Sequence, residues 1–184
     1  MQDNIFLSSH FCLKEFTESA TARKHGIVNE APPEAVENLR RLCEGCLEPL
    51  REALQLPVVI TSGYRTKELN SMLAHASDRS QHMAGQAADF YVGTARPSTS
   101  SGSGSVSAEG HRARLIKAFR LIITGSTGSP TERWIDFDQL ILYPNFIHVS
   151  YVSRERNRHN ILLGMRNGKL GYGKCSVENA LKIQ

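Results

Sequence analysis

His82, Asp89 and His148 have side chains suited to gripping a divalent metal. His82 and Asp89 sit seven residues apart in Ser80-Gln81-His82-Met83-Ala84-Gly85-Gln86-Ala87-Ala88-Asp89, with mostly small residues between them. His148 lies far downstream, in Phe146-Ile147-His148-Val149-Ser150. A catalytic zinc takes three protein ligands from imidazole and carboxylate and keeps a fourth position open. Two histidines and one aspartate meet that count if the fold gathers them. A hydrogen-bonded pair of histidines and a turn aspartate would use the same residue types, so spacing leaves both readings open.

Other reactive side chains are expected to be structural. Cys43 and Cys46 form a C-x-x-C, but inside a helical pattern, and neither a second such pair nor a matching His pair completes a zinc site. They are expected to be buried or partly buried thiols. His10 and His25 fall in an irregular N-terminal part. His75 is expected to be a surface or structural residue, although it stands seven residues before His82. His111 and His159 sit in polar, Arg-rich stretches and are expected to be solvated. Asp138, in the pair Asp138-Gln139, is expected to cap or turn the chain ahead of a strand.

The elements that must position the metal trio are short. Residues 1–31 read as irregular, with one helical turn around Leu13–Ser19. From Pro32 to Leu54 the residues Ala35, Leu39, Leu42, Cys46, Leu50 and Leu54 recur at helical spacing, and Pro49 should bend or interrupt that helix. Pro57–Ser62 and Ala87–Val92 read as strands. Lys67–Leu73 reads as a short helix and Glu109–Ile123 as an amphipathic one. Gln139–Tyr143 and Phe146–Val152 read as two β runs. In the second, His148 shares a face with Phe146 and Ser150, while Ile147, Val149 and Tyr151 point the other way. Asn167-Gly168 between Ile161–Met165 and Lys169–Tyr172 is a hairpin signal. Helices segregate from a run of short antiparallel strands, so the expected class is α+β. A Ser/Gly-rich stretch, Arg96–Gly104, reads as part of a mobile insertion over 94–110, and 152–184 as a C-terminal hairpin extension of a single domain.

Composition bounds the function. The chain has 184 residues, 40% hydrophobic and 22% charged, which suits one globular domain able to bury its core without a structural metal. Any metal is then expected to serve chemistry. The formal charge of +4 favours polyanionic partners only mildly. No Lys/Arg stripe with interleaved aromatics points to nucleic acid, and no apolar run reaches the length of a membrane span. A monomer is expected.

Taken together, Ser62-Gly63-Tyr64-Arg65, Ser80-Gln81-His82, Gly85, Ala88-Asp89 and Ile147-His148-Val149-Ser150 resemble the zinc D-Ala-D-Ala carboxypeptidase family, which shares its fold with the hedgehog signalling domain. The resemblance is greatest to its phage and prophage branch and runs from about Phe11 through Tyr151. It implies a small antiparallel sheet flanked by helices, one zinc ion on His82, Asp89 and His148, and Arg65 in the substrate groove. A guanidinium fork there can grip a peptide carboxylate through two parallel hydrogen bonds. Ser80 and Gln81 are further candidates for binding substrate. The implied activity is hydrolysis of peptide bonds in peptidoglycan stem peptides or cross-links. With no basic stretch leading into an apolar one at its start, the chain is expected to be made in the cytoplasm and to reach cell wall by release or another export route.

One part of the family pattern is missing. Its members carry an acidic residue shortly before the last histidine ligand, to take a proton from water. None of the seven residues before His148 is a carboxylate, and Asn145 stands where relatives place one. An amide does not accept that proton at neutral pH. Asp138, Glu132 or Glu155 would have to reach the site in space, or zinc alone would have to lower the water pKa enough for slow hydrolysis without a dedicated base. Otherwise the domain binds zinc and peptide without cutting.

Overall fold

The computed structural model describes residues 5–74, 76–93, 107–127, 131–166 and 169–183. His75, the Ser/Gly-rich stretch and the Asn167-Gly168 turn lie outside them. Two short helices open the chain, α1 (Leu13–Thr17) and α2 (Ala20–His25). The sequence reading found the first. The second starts on the hydroxyl of Ser19, which accepts from the Ala22 N–H at 3.2 Å, and ends on Gly26 in the left-handed region.

The long N-terminal helix is divided as Pro49 requires. It comprises α3 (Pro33–Leu42), a π-helical segment (Cys43–Leu47) and α4 (Glu48–Leu54). Pro49 has no N–H for the carbonyl of Gly45. The chain widens instead, so that Glu48 N–H donates to the Cys43 carbonyl, and the released Gly45 carbonyl accepts from the Asp136 N–H at 2.9 Å. Cys43 and Cys46 are fully buried free thiols in this segment, and burial pushes both thiols up, away from reactivity.

The remaining elements are β1 (Val58–Ser62), α5 (Lys67–Ser71), a 3₁₀ turn (Gln81–Ala84), β2 (Ala87–Val92), α6 (Ala108–Gly125), β3 (Gln139–Leu142), β4 (Ile147–Ser150), β5 (Asn160–Arg166), β6 (Lys169–Lys174) and α7 (Val177–Leu181). The helix expected from Glu109 begins at Ala108, within the 94–110 stretch also read as insertion, and Ser107 caps it by accepting from Gly110 N–H at 3.1 Å. The strands form one sheet in the order β1-β2-β4-β3-β5-β6. Strand alternation gives it two faces. Ala88, Phe90, Val92, Leu140, Leu142, Ile147 and Val149 join the buried core. On that side α6 packs against β2 and β3, and α4 against α6. Asp89, Ile141 and His148 occupy the alternate positions and face a cleft.

The α+β class stands, but the sheet is mixed: β3 and β5 are parallel. Topology forces this. Both edges of β4 are already taken, by β2 and β3, so the chain leaving β4 reverses through residues 151–159 and returns along the far edge of β3. Two aspartates buried ahead of β3 clasp that crossing loop. Asp136 accepts from His159 Nε2 at 2.6 Å and from Asn157 Nδ2 at 3.0 Å. Asp138 accepts from the Arg158 backbone N–H at 2.9 Å, from Arg158 Nε at 2.8 Å and from Gln81 Nε2 at 2.9 Å. His159 is therefore a loop anchor rather than a solvated residue. His111 is buried, and its Nε2 donates to the Asn145 carbonyl at 2.9 Å.

Burial works to raise the Asp138 carboxyl, but the Arg158 and Gln81 hydrogen bonds outweigh it and hold it below the usual carboxylate range. A carboxylate whose folded pKa is depressed stabilises above its unfolded pKa and loses that contribution as pH falls through the folded one. Asp138→Asn is accordingly expected to cost about 2 kcal/mol of stability at pH 7. Urea melts should show the gap to the parent protein closing as pH falls below about 4.

Candidate metal centre

Asp89 and His148 are brought together by strand register. They are direct cross-strand partners in the antiparallel β2–β4 pair, on the face away from the core. His148 Nδ1 lies 2.8 Å from Asp89 Oδ1. His82 arrives from the 3₁₀ turn just before β2. Gly85 ends that turn in the left-handed region at φ +69°, and a Cβ there would lie 2.4 Å from the Ala35 carbonyl oxygen, so only glycine fits between the turn and α3. The turn is tied to the residues after β1 by the Arg65 N–H, which donates to the His82 carbonyl at 3.2 Å.

The imidazole of His82 is oriented from behind. Its Nδ1 is 2.6 Å from the Gly63 carbonyl, an acceptor, so Nδ1 carries the proton and Nε2 presents a lone pair. That Nε2 lies 3.3 Å from His148 Nδ1 and 3.4 Å from Asp89 Oδ1. A tetrahedral zinc with bonds of about 2.0–2.1 Å holds its ligand atoms roughly 3.3 Å apart. Two sides of the triangle, 3.3 and 3.4 Å, match that edge, and the side between Asp89 and His148 is shorter at 2.8 Å. Its chemistry fits as well, because two imidazole nitrogens and a carboxylate oxygen converge. The trio could hold a metal ion. Burial pushes the His82 imidazole down, only partly offset by Asp89, which favours the neutral ligand form. Burial works to raise Asp89, but the two histidines hold it far below the usual carboxylate range.

The trio opens into a cleft of about 960 Å³. Arg65 and Ser80 line it, as the sequence suggested. Arg65 is half-buried, its Nε has no hydrogen-bond partner, and burial pushes its guanidinium down, against the attraction of Asp89. The Ser80 hydroxyl makes no hydrogen bond among the described residues, whereas the Gln81 amide is committed to Asp138. Tyr64 is buried packing.

The candidate bases fare differently. Asp138 borders the cleft, but Arg158 and Gln81 occupy both of its oxygens. Asn145 is exposed, is not among the cleft residues, and meets His111 through its backbone carbonyl. Neither Glu132 nor Glu155 lines the cleft. The carboxylates that do are Asp89 and Asp138 alone among the described residues. Sequence reasoning missed the Gly63 carbonyl, because backbone acceptors carry no residue signature. It also missed Arg79, Arg156 and Arg158, which reach the cleft from loops whose course spacing does not reveal.

A family model described as Peptidase M15 matches residues 9–102, half of the chain. No curated protein matches the chain.

Zinc added to the metal-free protein at about 100 times its dissociation constant should stabilise it by about 2.7 kcal/mol, read as a rise in thermal midpoint. His148→Ala is expected to abolish that rise. Gly85→Ala should weaken it by displacing the turn that carries His82, so calorimetric zinc affinity should fall even where the variant folds.

Proposed function

Given that the chain belongs to the M15 peptidase family, we propose that it is a zinc-dependent hydrolase of peptide bonds in peptidoglycan stem peptides or cross-links, carboxypeptidase- or endolysin-like in action. The observation that carries the reading is the convergence of His82 Nε2, His148 Nδ1 and Asp89 Oδ1 at the floor of an open cleft. Family membership supports a peptidase with a peptide substrate. Zinc as the metal, cell-wall peptides as the substrate, and the residue roles below are our reading.

His82, Asp89 and His148 would hold the ion, and zinc bound there supplies Lewis acidity toward the scissile carbonyl and toward water. Arg65 would orient the peptide. Its half-buried guanidinium faces the cleft with no ion pair among the described residues, and a substrate carboxylate would meet it through parallel hydrogen bonds. Ser80, whose hydroxyl has no partner among the described residues, is placed to donate to or accept from the peptide backbone. Gln81 would act on substrate only indirectly, by holding Asp138 and the loop behind it.

A second reading keeps the metal and the peptide but not the cleavage. It is favoured by one observation: each carboxylate bordering the cleft is already engaged, Asp89 in the trio and Asp138 with Arg158. Such a domain would be a zinc-containing module that binds cell-wall peptides.

The zinc-loaded protein should release peptide or amino-acid fragments from purified peptidoglycan, and chelation should stop the release. A folded protein with one bound zinc and no release would establish the binding module instead. Arg65→Lys should lower kcat/KM by about tenfold or more through loss of the bidentate grip, with zinc content intact.

A further inference from the structure

Charge in the cleft does not balance. Arg65, Arg79, Arg156 and Arg158 line it, against Asp89 and Asp138. Asp89 belongs to the metal trio, and Asp138 is ion-paired with Arg158. Arg65, Arg79 and Arg156 are left with no ion pair among the described residues. A single substrate carboxylate on Arg65 answers one of these charges and leaves two.

Arg79 and Arg156 stand on different loops, and both loops are held at their bases. The Arg79 N–H donates to Ser77 Oγ at 3.1 Å, and Asn70 Nδ2 donates to the Ser77 carbonyl at 3.0 Å. The Arg156 N–H donates to the Ser153 carbonyl at 3.1 Å, and the Val152 N–H to Asn157 Oδ1 at 2.8 Å. Asn157, Arg158 and His159 then fasten the same loop to Asp136 and Asp138. The backbone carrying each guanidinium is therefore placed before any ligand arrives, which lowers the ordering cost of binding.

We propose that Arg79 and Arg156 form an anion subsite that selects acidic peptides, ligands with a second carboxylate besides the one gripped by Arg65. The proposal rests on the peptide-cleft reading above and adds the charge of the substrate to it. Guanidinium groups suit the task because their planar forks match carboxylate geometry and stay charged at every working pH.

The test uses the full zinc-loaded chain and labelled synthetic peptides of equal length, all ending in a free carboxylate. At each internal position in turn, one peptide carries glutamate and its partner glutamine. Binding is read by fluorescence anisotropy before hydrolysis accumulates. At the favoured position glutamate should bind about tenfold more tightly at low salt, with the advantage shrinking as salt rises. Arg156→Gln and Arg79→Gln should each pull that ratio toward one, and melting curves should confirm that both variants are folded. Equal binding at every position, no binding of any peptide, or a preference that survives both substitutions overturns the subsite. Hydrolysis followed on the same samples separates the two ideas. A preference without cleavage sinks the peptidase reading and keeps the subsite, and cleavage without a preference does the reverse.

Discussion

Asp89 faces His148 across two paired strands, and that register is enforced from the opposite side of the sheet. Ala88 and Phe90 on β2, and Ile147 and Val149 on β4, bury completely in the core. A slip of one residue in either strand would turn these groups into the cleft and carry the acid or the imidazole into the core. Burying an unpaired carboxylate or imidazole there would be heavily penalised. The hydrophobic core thus sets how Asp89 and His148 meet from the opposite face of the sheet. His82 is added to this frame by a turn that must contain Gly85, and by a carbonyl that chooses its tautomer.

Much of the local structure was legible in the sequence. The bounds of β2 and the alternation around His148 follow from side-chain pattern, and Pro49 announced the break that the π-helical segment accommodates. The short α2 was missed because six residues give too little periodicity to stand out. What stayed hidden was long-range. Nothing near β5 shows that it must run parallel to β3, since that follows from both edges of β4 being occupied. The burial of His111 and the anchoring of His159 depend on where distant chain passes, so polar neighbours in sequence misled. That His82, Asp89 and His148 would gather was legible through ordered motifs. The role of Asp138 was not, because its partner Arg158 comes from the crossing loop.

Three aspartates near the cleft show how context divides one side chain among tasks. Asp89 meets two imidazoles and is left facing an open cleft. Asp136 and Asp138 are buried and saturated with donors from the loop between β4 and β5. Their charge is spent on holding that loop. Loop-mounted arginines gain fixed footing from this arrangement, because carboxylates at and behind the cleft wall are engaged in holding their loop.

The carbonyl behind His82 reaches further than the cleft. Gly63 lacks a side chain where the first helix crosses it: a Cβ on Gly63 would lie 2.6 Å from the Phe16 backbone. Phe16 itself is fully buried, and Asn29 ties the same neighbourhood together through the carbonyls of Thr17 and Tyr64 at 2.9 and 3.0 Å. The N-terminal segment therefore buttresses the imidazole from behind. Trimming the chain past Phe16 would strip no ligand, yet it would unseat the strand end on which the tautomer of His82 depends.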